Sequence, residues 1–203
     1  MDGPIAHALR PFAGGRKRAP IAFLDRDGVL NMSLDGYVNH PHELELLRGT
    51  ERAMRRRRDE GFLLCVVTNQ SAVGRGVWDD ERLHQIHDRF DAMLAASGAQ
   101  PDLILACPHV PWAGCGCRKP KTGMLSLGAS LLRSEHGFGV LRQRMNNVEA
   151  PSNIDDVMVG DRGSDIRAGL AFGARTFLAV RDLGLESLLA RLVDRSDPGD
   201  EVR

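Results

Sequence analysis

Five short apolar runs punctuate the chain: "IAFL" (21–24), "FLLCVV" (62–67), "LILA" (103–106), "VMV" (157–159) and "TFLAV" (176–180). Each is β-rich and nearly continuous, the pattern of strands covered on both faces. Segments with helical character separate them, over 49–60, 79–97, 122–136 and 163–172. The second opens with acids in its first turn and places apolar residues at 83, 86, 90 and 94, which suits a helix start followed by a buried stripe. Thr122 is a candidate cap for the third. Strands alternating with helices predict an α/β layer fold, a parallel sheet with helices on both faces and right-handed crossovers.

The 203 residues suffice for one domain with a sizeable core. Lys plus Arg and Asp plus Glu number 27 each, so no basic field points to nucleic acid and no acidic excess points to disorder. No apolar run approaches the ~20 residues a membrane helix needs. Residues 1–19 are basic and lack a signal-like apolar stretch, so they read as a mobile leader and the protein as cytoplasmic. Residues 20–181 form the expected domain, with an extended loop over 137–154. The tail, 182–203, is expected to hold one helix over 184–194 and then fray. A monomer is expected, with no nucleic-acid partner and no membrane.

Chemistry gathers where the strands end. The first run leads straight into "DRDGVLN", with Asp25 and Asp27 two apart and Gly28 free to turn the chain away. Asp and Gly also favour ordinary turns, so this stretch alone decides little. The second run, however, ends at Thr68 and Asn69, the third leads on to Arg118 and Lys119, and the fourth ends at Asp161, with Asp165 one turn on. In open α/β sheets ligands bind beyond the carboxyl ends of the strands. Carboxylates, a hydroxyl, an amide and a lysine collected there make a phosphoryl-transfer site. Asp25 and Asp161 can offer carboxylate oxygens to Mg²⁺, and Asp27 its backbone carbonyl. Lys119 and Thr68 suit the phosphate oxygens, Asp25 the attack on phosphorus, and Asp27 the proton transfers.

This order of residues resembles the haloacid dehalogenase superfamily of phosphatases. "LDRDGVLN", "VVTNQS", "RKPK" and "VGDRGSD" stand for its four motifs. The resemblance implies a Rossmann-like fold, Mg²⁺ dependence, Asp25 as nucleophile and Asp27 as acid and base. The linkers after the first two motifs are too short for a large inserted cap.

Three of the four cysteines remain to be explained. Cys107, His109, Cys115 and Cys117 lie on one short loop as C-x-H-x₅-C-x-C, four ligands suited to a closed, structural, tetrahedral Zn²⁺. The loop is poor in apolar residues, so metal would supply its folding energy and hold Arg118 and Lys119 in place. Cys65 lies within an apolar run and reads as a small buried hydrophobe. The metal loop is similar to that of the histidinol-phosphate and heptose-bisphosphate phosphatase group. By that resemblance Asp35, Gly36 and Tyr37, then Thr68, Asn69, Gln70 and Ser71, with Arg118 and Lys119, contact a small phosphorylated metabolite; Arg162, where the group often has a lysine, is expected to join them. The expected reaction is loss of the 7-phosphate from a heptose bisphosphate. Histidinol phosphate or another sugar phosphate is the alternative, and a catalytically silent zinc-stabilised binding module is the alternative of another class. "MRRRRDE" (54–60) and the pair His84 and His87 read as solvated surface.

Overall fold

All five apolar runs become strands, and a sixth joins them. The computed structural model describes residues 3–8, 18–133, 153–181 and 183–201. Its strands are β1 (Ile5–His7), β2 (Ile21–Leu24), β3 (Leu63–Asn69), β4 (Leu103–Cys107), β5 (Val157–Gly160) and β6 (Arg175–Leu178). They form one sheet in the order β1-β4-β3-β2-β5-β6. Neighbours among β2 to β6 are parallel, whereas β1 runs antiparallel to β4. The sheet is therefore mixed, which corrects the all-parallel expectation. The helices are α1 (Thr50–Asp59), α2 (Ser71–Gly74), α3 (Asp80–Ala95), α4 (Gly123–Arg133), α5 (Gly163–Phe172) and α6 (Leu189–Val193).

Period-two alternation sorts each strand between two cores. Ala22, Leu24, Leu64, Val66, Val157 and Val159 face one side, against Met54 of α1, Ile86 and Phe90 of α3, and Leu189 and Leu192 of α6. Ile21, Phe23, Leu63, Cys65, Val67 and Met158 face the other, against Leu125 and Leu132 of α4 and Ala168 of α5. With apolar layers above and below, no central strand has a wet face, and that is why these runs do not alternate. From β2 the chain winds outward through β3 and β4, then crosses back to β5 on the other side of β2. The carboxyl ends of β2 and β5 thus flank the topological switch point, where such sheets bind ligands.

Three surface expectations change. Residues 5–7 of the expected leader pair with β4, Ile5 opposite Ala106 and His7 opposite Ile104, so they cover an edge that would otherwise be open. The tail does not fray within the described residues. Arg191 forks onto Asp197 and Asp200, and the Asp200 carboxylate accepts the Leu178 backbone N–H at 2.7 Å, beside β6. His87 is buried, as is Arg57, which donates to the Leu192 carbonyl at 3.2 Å and lies over the Phe62 ring. The loop expected over 137–154 falls outside the described residues except for its last two.

Helix α4 crosses the sheet at Gly128, where an added Cβ would sit 2.8 Å from Cys65 Sγ and 3.2 Å from Phe23. Gly128→Ala would gain about 1 kcal/mol of helix propensity but overpack the core by about 1–3 kcal/mol. The expected result is a lower urea midpoint, with the loss smaller when Cys65→Ala is present than when Cys65 is intact. Equal losses in the two backgrounds would show that this contact does not set the helix–sheet distance.

Candidate active site

The Asp25 backbone N–H donates to the Val159 carbonyl at 2.9 Å, so the first acid leaves β2 directly beside β5. Gly28 follows with φ +83°, and an added Cβ there would meet Asp161 Oδ2 at 2.6 Å. Gly160 makes the same kind of room: its Cβ would fall 2.1 Å from that of Asp165. Two glycines therefore let the acids that follow β5 fold in against the end of β2.

At the centre stands Lys119, 3% exposed. Its Nζ lies 2.9 Å from Asp25 Oδ1 and 2.7 Å from Asp165 Oδ1, and it donates to the Val67 carbonyl at 2.7 Å. Burial alone would lower its pKa, but Asp165 and Asp25 outweigh it and hold the ammonium above the ordinary lysine range. Burial pushes the Asp25 carboxyl up to about 7; Lys119 opposes this, while Asp165 and Asp27 add to it. Asp161 is also raised, chiefly by burial. Asp25, Asp161 and Asp165 each bring one carboxylate oxygen within 4.8 Å of the others. Three carboxylates thus face one ammonium. Among the described residues Asp161 Oδ1 and, its ion pair with Lys119 aside, Asp165 Oδ1 are buried without a hydrogen-bond partner, and Arg162 Nε lies 3.7 Å from Asp161 Oδ1. An excess of hard oxygen donors, two of them without a hydrogen-bond partner, fits Mg²⁺.

Asp27 stands apart from this cluster. Oδ1 accepts from Arg26 Nε (3.1 Å), Arg26 Nη2 (3.0 Å) and Asn31 Nδ2 (2.9 Å). Oδ2 accepts from Arg26 Nη2 (3.0 Å) and Gln70 Nε2 (2.7 Å). Burial would raise this carboxyl, but the Arg26 charge and the donated hydrogen bonds prevail and hold it below the usual carboxylate range.

A cavity of about 410 Å³ opens over these groups. Asp25, Asp27, Thr68, Lys119 and Asp165 line it on the sheet side. Gly36, Tyr37, Asn69, Gln70, Ser71, Arg118 and Arg162 line the rest, together with Ser33, Leu34, Val38 and Ser164, which the motifs did not indicate. Asp35 is exposed and is not among the lining residues. Several polar side chains are already engaged with protein. Asn69 and Lys119 form a reciprocal pair, Lys119 N to Asn69 Oδ1 at 3.1 Å and Asn69 Nδ2 to Lys119 O at 3.2 Å. The Gln70 amide donates to both Asp27 and Thr68 Oγ1, the latter at 2.9 Å. Tyr37 and Ser71 share a hydroxyl contact of 3.1 Å, and Arg118 Nη1 donates to the His109 carbonyl at 3.1 Å.

The cysteine loop converges on one point. Cys107 Sγ lies 3.3 Å from Cys117 Sγ and 3.7 Å from Cys115 Sγ, and His109 Nδ1 lies 3.2 Å from Cys117 Sγ. No disulfide joins the sulfurs. A tetrahedral Zn–S₄ site has S–S edges of about 3.8 Å, so this spacing suits four ligands of one ion.

Sequence reasoning gave Asp165 no task, although its place one turn after Asp161 was visible. It missed Arg26 and Asn31 altogether, because the grip on Asp27 depends on how the loop after β2 curls.

Comparison with known proteins agrees with this geometry. A family model described as HAD-hydrolase-like matches residues 116–190. A D-glycero-beta-D-manno-heptose-1,7-bisphosphate 7-phosphatase of Photorhabdus laumondii is 40% identical over 169 residues, 80% of each chain. The enzyme of that name in Vibrio cholerae is 34% identical over 169 residues, 80% of this chain and 81% of its own. Among solved structures, D,D-heptose 1,7-bisphosphate phosphatase of B. bronchiseptica, complexed with magnesium and phosphate, has a TM-score of 0.64 at 31% identity, covering 84% of this chain and 86% of that one. The chain belongs to the haloacid dehalogenase-like family, within its heptose-bisphosphate phosphatase group, and is a phosphatase.

Proposed function

We propose that this phosphatase removes the 7-phosphate of D-glycero-D-manno-heptose 1,7-bisphosphate, with Asp25 as nucleophile and Asp27 as acid and base. The observation that carries the assignment is the buried ammonium of Lys119 held between Asp25 and Asp165, beside the unsatisfied oxygen of Asp161. Asp25 and Asp161, with the Asp27 backbone carbonyl and with Asp165 in reach, would hold Mg²⁺. Bound there, the ion neutralises the phosphate oxygens that would otherwise repel the attacking carboxylate.

Asp25 Oδ forms a bond to phosphorus, and the bond from phosphorus to the sugar oxygen breaks. Asp27 gives the departing oxygen a proton, which it can carry only once bound substrate has displaced donors from one of its oxygens, because Arg26, Asn31 and Gln70 hold the carboxyl ionised in the free chain. The resulting aspartyl-phosphate is cleared when Asp27 takes a proton from water, which attacks phosphorus and releases phosphate with Asp25 restored. Lys119 and the Thr68 hydroxyl stabilise the charge on the transferring group. Arg118 and Arg162, both on the cavity wall, suit the second phosphate, which a guanidinium can grip with two hydrogen bonds. A cavity of about 410 Å³ lies in the small-molecule range and accepts a sugar bisphosphate.

Cys107, His109, Cys115 and Cys117 hold a structural Zn²⁺ in this reading. With all four positions filled by protein, the ion does no chemistry. Its task is to fix a loop whose last ligand, Cys117, is two residues from Lys119.

On a panel of phosphomonoesters, the heptose bisphosphate should show the highest kcat/KM, ahead of histidinol phosphate. A reversed order would move the substrate assignment to the latter. Asp25→Asn should lower kcat by more than about a thousandfold, with the unfolding midpoint and zinc content unchanged. Metal analysis should find one zinc per chain, and Cys117→Ser should remove it and cut kcat/KM through displacement of Arg118 and Lys119. Full activity in a zinc-free chain would refute the structural role of the ion.

A further inference from the structure

One residue of the first motif has no task in the mechanism above. Arg26 is 0% exposed, and burying a guanidinium is strongly unfavourable unless a counter-charge meets it. Among the described residues its side chain donates to a single group, the carboxylate of Asp27. Nη1 has no partner among the described residues. A strand would point two successive side chains to opposite faces, so neighbours in sequence do not ordinarily grip each other. Here the strand has just ended. The Arg26 carbonyl accepts the backbone N–H groups of Leu30 (2.9 Å) and Asn31 (3.1 Å), and the chain curls tightly through Gly28. That curl brings the guanidinium alongside the carboxylate.

The grip is also complete. Arg26 engages both oxygens, Asn31 adds a donor to one and Gln70 a donor to the other, so the side chain has little freedom left to rotate. So gripped, Asp27 is an ionised carboxylate, the form that takes a proton from the attacking water, and a displacement of about 1 Å from that alignment can cost a hundredfold in rate. The remaining Gln70 contact runs to Thr68, which ties the position of Asp27 to that of a phosphate donor.

We propose that Arg26 is the positioning residue for Asp27, buried in order to aim this carboxylate and touching no substrate itself. The proposal rests on the acid and base reading of Asp27, and the test separates the two. Wild type, Arg26→Met, Asp27→Asn and the double variant are compared on the phosphomonoester that wild type turns over fastest. Arg26→Met should lower kcat by about ten- to a hundredfold with KM within about twofold, since only the proton-transfer geometry is damaged. In the Asp27→Asn background the same change should cost nothing further. A merely structural arginine would instead lower kcat in both backgrounds by the same factor, and that result would overturn the proposal. Arg26→Lys should recover part of the loss, because an ammonium keeps the charge but not the fork. Should Arg26→Met fail to fold, the cycle is run with Arg26→Lys, and wild-type kcat in that variant would count against the proposal. Full turnover by Asp27→Asn would end the acid and base reading, and this inference with it.

Discussion

Every other feature of the site is arranged around one buried ammonium. The Lys119 ammonium donates to the Val67 carbonyl and is ion-paired with two carboxylates, all at 2.7 to 2.9 Å. Removing such charges from water is costly, and the cost is tolerable only when each hydrogen bond is made. The third acid, Asp161, is not served by the lysine. Its unsatisfied oxygen leaves the cluster with more negative charge than one side chain can balance, the deficit a divalent cation corrects. Lys119 thus lessens the repulsion between Asp25 and Asp165.

Close approach is as necessary as charge. Asp161 and Asp165 lie after β5 and Asp25 after β2, and they meet only because Gly28 and Gly160 carry no side chain. A methyl group at Gly160 would overlap the Cβ of Asp165 itself, with no flexible end to swing aside. The switch-point topology supplies the crevice, and the glycines let the three acids close to within 4.8 Å of one another.

Much of this was legible in the sequence. Five continuous apolar runs reported five buried strands, and the rule that ligands bind at carboxyl ends brought Asp25, Thr68, Lys119 and Asp161 to one rim. What escaped did so for physical reasons. β1 has three residues, too few for any periodicity to show, and it forms because β4 offers an open edge. His87 belongs to the apolar stripe of α3 by spacing, four after Leu83 and three before Phe90, but its polarity concealed that. Gln70 and Asn69 line the cavity, and they also hold Asp27 and the Lys119 backbone, which the sequence did not reveal. A sequence shows which polar groups reach a rim, not which of them already have partners.

The reciprocal bonds between Asn69 and Lys119 bear on the cysteine loop. The lysine arrives on a segment with few apolar residues, which cannot seat itself by burying surface. It is fixed from two directions. From the sheet, the Asn69 amide pairs with its backbone and the Val67 carbonyl takes its ammonium. From the loop, Cys117 stands two residues before it, among three other groups at metal-ligand spacing. Either anchor alone would leave a hinge: strand pairing without the cluster frees the incoming chain, and the cluster without Asn69 frees the outgoing one. The four residues at metal-ligand spacing end two positions before the lysine, so both anchors act on a segment that is itself neither strand nor helix.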